Sequence, residues 1–388
     1  MSAPHATRPI HTGGALLCMG TRPEIIKMMP VAQAMRQAGL PHAVLHTGQH
    51  QDMAWPLYDF FGIQPDHRLA LERRDSELAT LAAQLLGSIT ALIRTVRPDV
   101  VLVHGDTLSA FCAAQAAFYQ QIPVAHVEAG LRTYQKYDPF PEEKNRELIA
   151  RLADTHFAPT EAARQNLLRE GLPAQDVLVT GNTIVDATHM ALALIRKTAD
   201  PLASPLPGGG TRPLVLVTAH RRENWERGIR SIAQALVQLS SRHAVDFLWP
   251  VHPNPVVRDQ VRSVIEAAPL SARQRIHLVD PMDYPALIDA LARSLLVMTD
   301  SGGIQEEAVS LGKPLLVLRD TTERPEVISS GCGWLTGTAT EAIVARFEEL
   351  IARADRLPAA ALADRTNPFG DGQAGARIAR EIARKHLS

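Results

Sequence analysis

The chain has 388 residues, of which 46% are apolar and 21% are charged, and its 40 Lys and Arg nearly cancel its 41 Asp and Glu. This length predicts two domains, and this composition is typical of globular enzymes. A balanced charge without a basic block argues against nucleic acid as a partner.

The N-terminal residues and the apolar runs indicate where the protein works. Residues 1–12 lack the apolar core of a signal peptide and are interpreted as a loose tail. The apolar runs are strand-sized, well below the ~20 residues that span a bilayer. Cys18, Cys112 and Cys332 are scattered in apolar settings, which is typical of reduced core cysteines. We therefore expect a cytoplasmic protein without a membrane partner.

Short apolar runs alternate with helical patterns along the chain. In the first half the predicted strands are residues 15–19, 43–47, 100–104, 124–128, 155–159 and 177–181. In the second half they are residues 214–218, 247–251, 276–280, 295–299 and 314–318. Helical patterns such as 76–95 and 229–240 lie between them. Consecutive apolar positions indicate parallel strands covered on both faces, so each half is expected to be an open, doubly wound α/β sheet.

A Pro- and Gly-rich segment, residues 200–213, separates the two series of strands. We interpret it as a loop beside the domain junction. Doubly wound sheets bind ligands at the carboxyl ends of their strands, so the cleft between the halves is the expected active site.

In the first half, polar residues follow the predicted strands. Arg22 and Lys27 come after the first strand, where two cations are suited to a diphosphate. Asp106 follows the strand at 100–104, Glu128 closes the strand at 124–128, and Glu142 lies at a helix start. Each carboxylate taken alone is explained by helix capping, by the helix dipole or by a buried ion pair. Three of them at separate strand or helix ends favour acid–base chemistry instead.

In the second half, the strand at 295–299 runs into Asp-Ser-Gly-Gly and then into a helical pattern. Gly302 and Gly303 let the backbone approach a ligand closely, and the new helix presents free N–H groups to an anion. Ser301 belongs to the same turn, and Glu307 is placed to accept hydrogen bonds from ribose hydroxyls. This segment predicts a nucleotide diphosphate site, although an ordinary αβ unit would also use such glycines.

Other basic residues of the second half have two interpretations each. His220, which follows the strand at 214–218, suits an anionic leaving group or a proton transfer, or is a solvent-exposed loop residue. Arg324 binds phosphate or belongs to a charged surface loop, and His252 serves either chemistry or structure.

Several known fingerprints are absent from the sequence. No G-x-G-x-x-G follows a predicted strand, and there is no Walker loop, C-x-x-C or H-E-x-x-H. We therefore expect neither a nicotinamide cofactor nor a metal site.

The motifs taken together resemble those of the bacterial, non-hydrolysing UDP-N-acetylglucosamine 2-epimerases. The similar segments are GTRPEIIKMMP, LVHGDT, AAFYQQIPVAHVEAGLRT, FPEEKNR, AHRREN, VHPNP, TDSGGIQEEAVSLGKP, RDTTERPE and NPFGDGQA, from about residue 16 to 375. The resemblance implies a GT-B type fold with two Rossmann-like domains. The first domain would comprise residues 1–182 and a final helix in 371–388, and the second residues 183–370. A homodimer is also expected.

The resemblance also implies interconversion of UDP-GlcNAc and UDP-ManNAc, with residue roles carried over position by position. Substrate binding would involve Arg22, Lys27, Ser301, Gly302, Gly303, Glu307 and Arg324. Acid–base chemistry would involve Asp106, Glu128, Glu142 and His220, supported by Arg146. A neighbouring regulatory site would involve Gln49, Arg221 and His252. The chain departs from many relatives on the uracil side, where Met282 replaces Gln and Leu287 replaces an aromatic residue.

The expected mechanism is elimination of UDP, which gives a 2-acetamidoglucal, followed by re-addition with protonation from the other face. In this hypothesis Asp106, Glu128 and Glu142 share the proton transfers, while His220 and Arg22 stabilise the departing UDP. The alternatives are a hydrolysing epimerase that releases ManNAc and UDP, a GT-B glycosyltransferase, and a sensor of nucleotide sugars without catalysis. HGDT favours the non-hydrolysing group.

Overall fold

The computed structural model describes residues 13–49, 54–71, 77–198, 212–352 and 367–387. The described residues divide into two compact units, one within Met1–Ala187 and Gly370–Ser388 and the other within Thr188–Phe369. The predicted loose tail, residues 1–12, and most of the predicted junction loop, residues 200–211, lie outside the described residues.

The first unit is a parallel sheet with helices between its strands. Its strands are β1 (Ala15–Met19), β2 (His42–His46), β3 (His67–Arg68), β4 (Val100–His104), β5 (Val124–Val127), β6 (Thr155–Ala158) and β7 (Val177–Val179). Its helices are α1 (Arg22–Gln37), α2 (Trp55–Phe61), α3 (Leu78–Val96), α4 (Leu108–Tyr119), α5 (Glu142–Leu152) and α6 (Glu161–Arg169), followed by α7 (Thr183–Thr198), which continues into the second unit.

The strand order of this sheet is β3-β2-β1-β4-β5-β6-β7. Every residue of β1 and β4 is buried, as the consecutive apolar positions in the sequence predict for central parallel strands. The order reverses direction between β1 and β4, and such a switch point opens a crevice outside the carboxyl ends of the strands. Residues that directly follow β1 and β4 are therefore placed for ligand binding.

The second unit repeats this arrangement. Its strands are β8 (Leu214–Thr218), β9 (Asp246–Pro250), β10 (Ile276–Val279), β11 (Leu296–Thr299), β12 (Leu315–Val317) and β13 (Gly333–Leu335). Its helices are α8 (Gly228–Arg242), α9 (Pro255–Glu266), α10 (Leu270–Arg273), α11 (Tyr284–Arg293), α12 (Gly302–Ser310), α13 (Pro325–Ser329) and α14 (Thr340–Ala352). The parallel order β10-β9-β8-β11-β12-β13 places its switch point between β8 and β11.

The last helix, α15 (Ala374–His386), belongs to the first unit and packs on α1. The carboxylate of Asp186 accepts hydrogen bonds from the backbone N–H groups of Ala374, at 3.2 Å, and Gly375, at 2.9 Å. A Cβ at Gly375 would lie 2.7 Å from the carbonyl oxygen of Pro30, so the close approach of α15 to α1 requires glycine.

The predicted α/β class with Rossmann-like sheets is confirmed. All eleven predicted strands are present, with ends within two residues of the prediction. Two further edge strands, β3 and β13, were not predicted, because two or three residues are too few to show a hydrophobic period.

Helix α3 corrects the expectation that the apolar runs are only strand-sized. By length and composition alone it could cross a membrane, which is weak evidence, because core helices of globular proteins pass the same test. Leu81, Leu85, Ile89 and Ile93 form its buried face, which belongs to the core of the first unit. Ala, Gly and Thr residues lie between these large apolar residues, so the helix does not appear in the sequence as one long apolar run.

Candidate active site

The first unit brings together several predicted residues at the carboxyl ends of β4 and β5. We call Lys27, His104, Asp106, Glu128 and Arg146 the unit 1 site. Glu128 directly follows β5, Asp106 lies in the turn after β4, and Lys27 reaches the same edge of the sheet from α1. The predicted grouping of polar side chains after the strands is therefore present in the structure.

Glu128 is held by contacts from α1 and β4. Lys27 Nζ donates a hydrogen bond to Glu128 Oε2, and His104 Nε2 lies 3.6 Å from the same oxygen. The Lys27, His104 and Glu128 side chains are all more than nine-tenths buried. Glu128 also has a φ of 62°, a left-handed conformation that is uncommon for a residue with a Cβ and that occurs often at functional sites. Lys27 was predicted to bind diphosphate, and in the structure it holds a candidate proton-transfer group.

Asp106 is held from α5. Arg146 Nη2 donates to Asp106 Oδ2, and the side-chain amide of Asn145 donates to the Asp106 carbonyl oxygen at 2.9 Å. Arg146 Nη1 also lies 3.4 Å from Glu143, a fully buried carboxylate that accepts hydrogen bonds from backbone N–H groups of the preceding loop. Arg146 thus contacts both Asp106 and Glu143.

Two buried residues that the sequence analysis missed fix the loop that carries Asp106. The carboxylate of Glu24 accepts hydrogen bonds from the N–H of Thr21, at 2.7 Å, and from the hydroxyl of Thr107, at 2.5 Å. Burial raises the pKa of Glu24, and the bond from Thr107 opposes that rise. His126 Nε2 donates to the Gly105 carbonyl oxygen at 2.7 Å, and burial lowers the pKa of His126 to about 3, so its ring stays neutral.

Three other predicted residues of this unit have different surroundings. Arg22 and Glu142 are the first residues of α1 and α5, both partly buried, and the side chain of neither makes a hydrogen bond or ion pair with a described residue. Gln49 Oε1 accepts hydrogen bonds from Ser109, at 3.1 Å from its N–H and 2.7 Å from its hydroxyl. Gln49 therefore joins the loop after β2 to the start of α4.

The second unit carries its predicted residues at the switch point between β8 and β11. We call His220, Asp300, Ser301, Gly302 and Gly303 the unit 2 site. Ser301 is the N-cap residue of α12, and Gly302 and Gly303 form its first turn. A Cβ at either glycine would meet nothing within 4 Å. The first turn of a helix has N–H groups without partners inside the helix, and such groups suit a diphosphate.

Asp300 connects the two loops of this site. Its fully buried carboxylate accepts hydrogen bonds from the N–H groups of His220 and Arg221, each at 3.0 Å, and from the Asn224 amide at 2.9 Å. His220 Nδ1 lies 3.4 Å from Asp300 Oδ1. Asp300 was not predicted as a site residue, although its position directly after the buried strand β11 is a signal for one.

Glu307 and Arg324 lie near the same helix. Glu307 is buried in the second turn of α12, and Arg324 is the N-cap residue of α13. Arg324 Nε donates to the buried carboxylate of Glu306, so the guanidinium is anchored to α12. Because Glu306 is buried in α12, its ion pair holds the Arg324 guanidinium beside that helix. This contact favours a fixed position for Arg324 over a place in a charged surface loop.

Arg221 and His252 lie in the loops after β8 and β9. Arg221 donates to Glu323 at 3.1 Å and, through Nε, to the Asp300 carbonyl oxygen at 2.9 Å. The His252 ring lies 5.6 Å from the Trp225 ring. Burial, and to a smaller extent the charge of His220, lower the pKa of His252. The two histidine side chains are therefore close enough for the charge of one to affect the other.

A cavity of about 320 Å³ lies beside these loops, at the carboxyl ends of β9 and β10. It is lined by Val251, Arg258, Arg262, Leu278, Val279 and Asp280. It adjoins the segment that carries Met282 and Leu287, which the resemblance placed on the uracil side. Within the described ranges, no group of three or more His, Cys, Asp or Glu residues could hold a metal ion.

Known proteins match nearly the whole chain. A family model described as UDP-N-acetylglucosamine 2-epimerase matches residues 33–383. A probable UDP-N-acetylglucosamine 2-epimerase of Ralstonia solanacearum is 42% identical over 376 residues, which cover 95% of this chain and 98% of the relative. The UDP-N-acetylglucosamine 2-epimerase of Escherichia coli K12 is 40% identical over 380 residues, 96% of this chain and 99% of the relative.

The fold matches as well. The crystal structure of the Neisseria meningitidis UDP-GlcNAc 2-epimerase bound to UDP-GlcNAc superposes with a TM-score of 0.83 at 38% identity, covering 96% of this chain and 100% of that one. The GT-B type predicted from the resemblance is confirmed by this similarity. The chain belongs to the UDP-N-acetylglucosamine 2-epimerase family.

Proposed function

We propose that the chain interconverts UDP-GlcNAc and UDP-ManNAc without hydrolysis, by elimination and re-addition of UDP. A base removes the proton from carbon 2 while the bond between carbon 1 and the diphosphate oxygen breaks, which gives 2-acetamidoglucal and UDP. The diphosphate oxygen then attacks carbon 1 again, and carbon 2 receives a proton on the opposite face. Atoms and charge balance, and no oxidant is consumed.

This route answers the main chemical difficulty of the reaction. No carbonyl adjoins carbon 2, so a base alone does not remove its proton at neutral pH. Departure of the diphosphate from carbon 1 in the same process makes that removal possible, provided that cationic groups and N–H dipoles stabilise the leaving group. The enzyme needs carboxylates at the sugar and an anion site at the UDP.

In this proposal the first unit supplies the proton-transfer groups and the second holds UDP. Glu128, Asp106 and Glu142 share the proton transfers, and Arg146 supports Asp106. The phosphates bind at the α12 N-terminus, with the other UDP contacts from Arg324 and from Glu307 at the ribose. His220 and Arg22 stabilise the departing diphosphate. The geometry suggests one change to the expected roles, since Lys27 acts through Glu128.

The observation that carries the proposal is the setting of Glu128. It directly follows a central strand in a left-handed conformation, with Lys27 bonded to one carboxylate oxygen and His104 beside it. A carboxylate that served only stability would not need a strained backbone and two basic partners. The Neisseria meningitidis relative was crystallised with UDP-GlcNAc, which supports the same substrate here.

Product analysis tests the non-hydrolysing assignment. With UDP-GlcNAc as substrate, ³¹P NMR should show the diphosphate remaining esterified to a sugar, as UDP-ManNAc accumulates toward equilibrium. Accumulation of free UDP together with ManNAc would instead assign the chain to the hydrolysing class. Free UDP formed only after an acceptor is added would indicate glycosyl transfer.

A regulatory role is also proposed for part of the second unit. Arg221 and His252 lie in neighbouring loops, and Trp225 connects them through its ring contact to His252 and its bond to the His220 carbonyl oxygen at 3.0 Å. A second UDP-sugar bound there would act directly on His220. Gln49 contacts Ser109 of the first unit, and its place in such a site rests on the resemblance.

We further propose a homodimer formed through α3. The outward face of α3 carries Ala79, Ala83, Gly87 and Ala91, all exposed and spaced four residues apart, so another helix can approach closely. Phe118 and Tyr119, at the end of the neighbouring α4, are also exposed. Exposed small and aromatic apolar residues on two neighbouring helices are typical of a subunit interface.

Gly87→Arg should convert the dimer into a monomer. A Cβ at Gly87 would meet nothing within 4 Å in a single chain, so the substitution is tolerated by the unit itself and blocks only a partner. Light scattering measures the mass of each variant. Ala162→Arg, on the exposed face of α6, is the control and should leave the mass unchanged. A Gly87→Arg protein that keeps the wild-type mass would rule out this face.

A further inference from the structure

Asp300 is a buried carboxylate with no role in the function proposed above. It directly follows β11 and is fully buried. A buried carboxylate is costly unless it is hydrogen-bonded. Asp300 accepts hydrogen bonds from two backbone N–H groups, of His220 and Arg221, and from the Asn224 amide. From its position after β11, Asp300 therefore fixes the conformation of the loop that follows the neighbouring strand β8.

The same carboxylate faces the His220 ring. His220 Nδ1 lies 3.4 Å from Asp300 Oδ1, and 47% of the His220 side chain is exposed. In an imidazole, Nδ1 and Nε2 lie on different edges of the ring. With Nδ1 toward the buried carboxylate, Nε2 is on the edge away from it. The Trp225 indole N–H bonds to the His220 carbonyl oxygen at 3.0 Å and steadies the backbone beneath the ring.

We propose that Asp300 is a positioning residue that orients His220 through Nδ1 and so directs Nε2 at the diphosphate; this rests on the proposed function of His220. A carboxylate partner at one ring nitrogen fixes the tautomer and orientation of a histidine. When the ring is protonated, the carboxylate balances its charge and Nε2 donates a charge-assisted hydrogen bond to a phosphate oxygen.

The position of Asp300 in the chain is next to the proposed phosphate site. The next residue, Ser301, is the N-cap of α12, whose N–H groups form the proposed phosphate site. Asp300 therefore lies in the chain directly before the helix, while its carboxylate faces the histidine. Arg221 Nε strengthens this connection by donating to the Asp300 carbonyl oxygen at 2.9 Å.

A double-mutant cycle tests whether Asp300 acts through His220. Asp300→Asn should lower kcat by about 10²-fold, the usual scale for a lost proton or charge contact in catalysis. His220→Ala should lower kcat by a similar factor. Adding Asp300→Asn to His220→Ala should then change kcat by less than about threefold, because residues that act as one unit are not additive. Losses that multiply, or an Asp300→Asn protein with kcat within twofold of wild type, would overturn the proposal.

A second variant separates the ring from the loop. Asn224→Ala removes a donor to Asp300 Oδ2 and leaves Oδ1 facing His220. Its kcat should fall by less than about fivefold, since loop hydrogen bonds contribute less than the catalytic contact. A loss as large as that of Asp300→Asn would show that the carboxylate serves the loop alone, against the proposal.

A spectroscopic readout covers the case in which Asp300→Asn does not fold. In the wild-type protein, ¹H–¹⁵N spectra of the ring of His220 should show a single form protonated at Nδ1, and a mixture of tautomers would contradict the orientation. The kinetics also distinguish a failure of the proposed role of His220 from a failure of the proposed role of Asp300. A fully active His220→Ala would remove His220 from the proposed function, whereas an impaired His220→Ala with multiplying losses would remove only Asp300.

Discussion

Glu128→Gln should lower kcat for epimerisation by about 10³-fold, within the range expected for a general acid or base. Gln has the shape of Glu and keeps an acceptor oxygen for Lys27, so the side chain should stay in place. It does not accept the proton from carbon 2. Because UDP is held by the second unit in this account, the Kd for UDP should change by less than about threefold, well below the ~1.4 kcal/mol of a tenfold change.

The control for this prediction is the same chemical change at another ion pair of the first unit. Glu147→Gln breaks the surface pair with Lys144 on α5, whose members are both partly exposed. Surface pairs of this kind contribute at most about 1 kcal/mol, so its kcat should stay within twofold of wild type. Initial rates of UDP-ManNAc formation measure both variants. A Glu128→Gln enzyme that retains more than about a tenth of kcat would remove Glu128 from the proton transfers.

The second large effect is expected at the α12 N-terminus. Gly302→Asp should raise the Kd for UDP by about 10²-fold, because it places a carboxylate where the diphosphate binds. The helix itself should tolerate the change. A Cβ at Gly302 would meet nothing within 4 Å, and an acidic residue in the first turn of a helix is favourable. Thermal unfolding should therefore be unchanged while binding is lost.

Gly302→Ala is the matched control. It adds a Cβ at the same place without a charge, and its Kd for UDP should stay within about threefold of wild type. Isothermal titration with UDP measures all three proteins. If Gly302→Asp binds UDP as tightly as Gly302→Ala does, the phosphates are not held by this helix.

Local sequence patterns were sufficient for most of the fold. Buried central strands such as β1, β4 and β8 are continuous apolar runs, and each was predicted with its observed ends. The edge strands β3 and β13 were missed, because pairing with a neighbouring strand, and not their own few residues, makes them strands. Helix α3 shows the opposite case, in which small residues concealed a long apolar face.

Residue types after strands were sufficient to find much of the candidate site, but not its contacts. Lys27 and Glu128 are 101 residues apart in the chain, and nothing local to either one indicates their pairing. The bond from Thr107 to Glu24 spans 83 residues. Such pairs depend on which strands become neighbours in the sheet.

Two buried carboxylates, Glu24 and Asp300, were not predicted from the sequence. Glu24 resembles an ordinary acidic residue in the first turn of a helix, and its bridging role requires the position of the loop after β4. Asp300 precedes the turn of Gly302 and Gly303 by two residues of chain, and its partner His220 follows a different strand, β8. In both cases the sequence was sufficient to predict a functional loop. The buried carboxylate that holds the loop in place depends on contacts between residues distant in the chain.

One measurement tests the elimination mechanism most directly. The enzyme is incubated with UDP-GlcNAc in deuterated water, and the sugar is followed by ¹H NMR. The account predicts UDP-ManNAc carrying deuterium at carbon 2, since the proton removed from one face is replaced by one from solvent on the other. UDP-ManNAc that retains the original hydrogen at carbon 2, or free ManNAc as the first product, would contradict it.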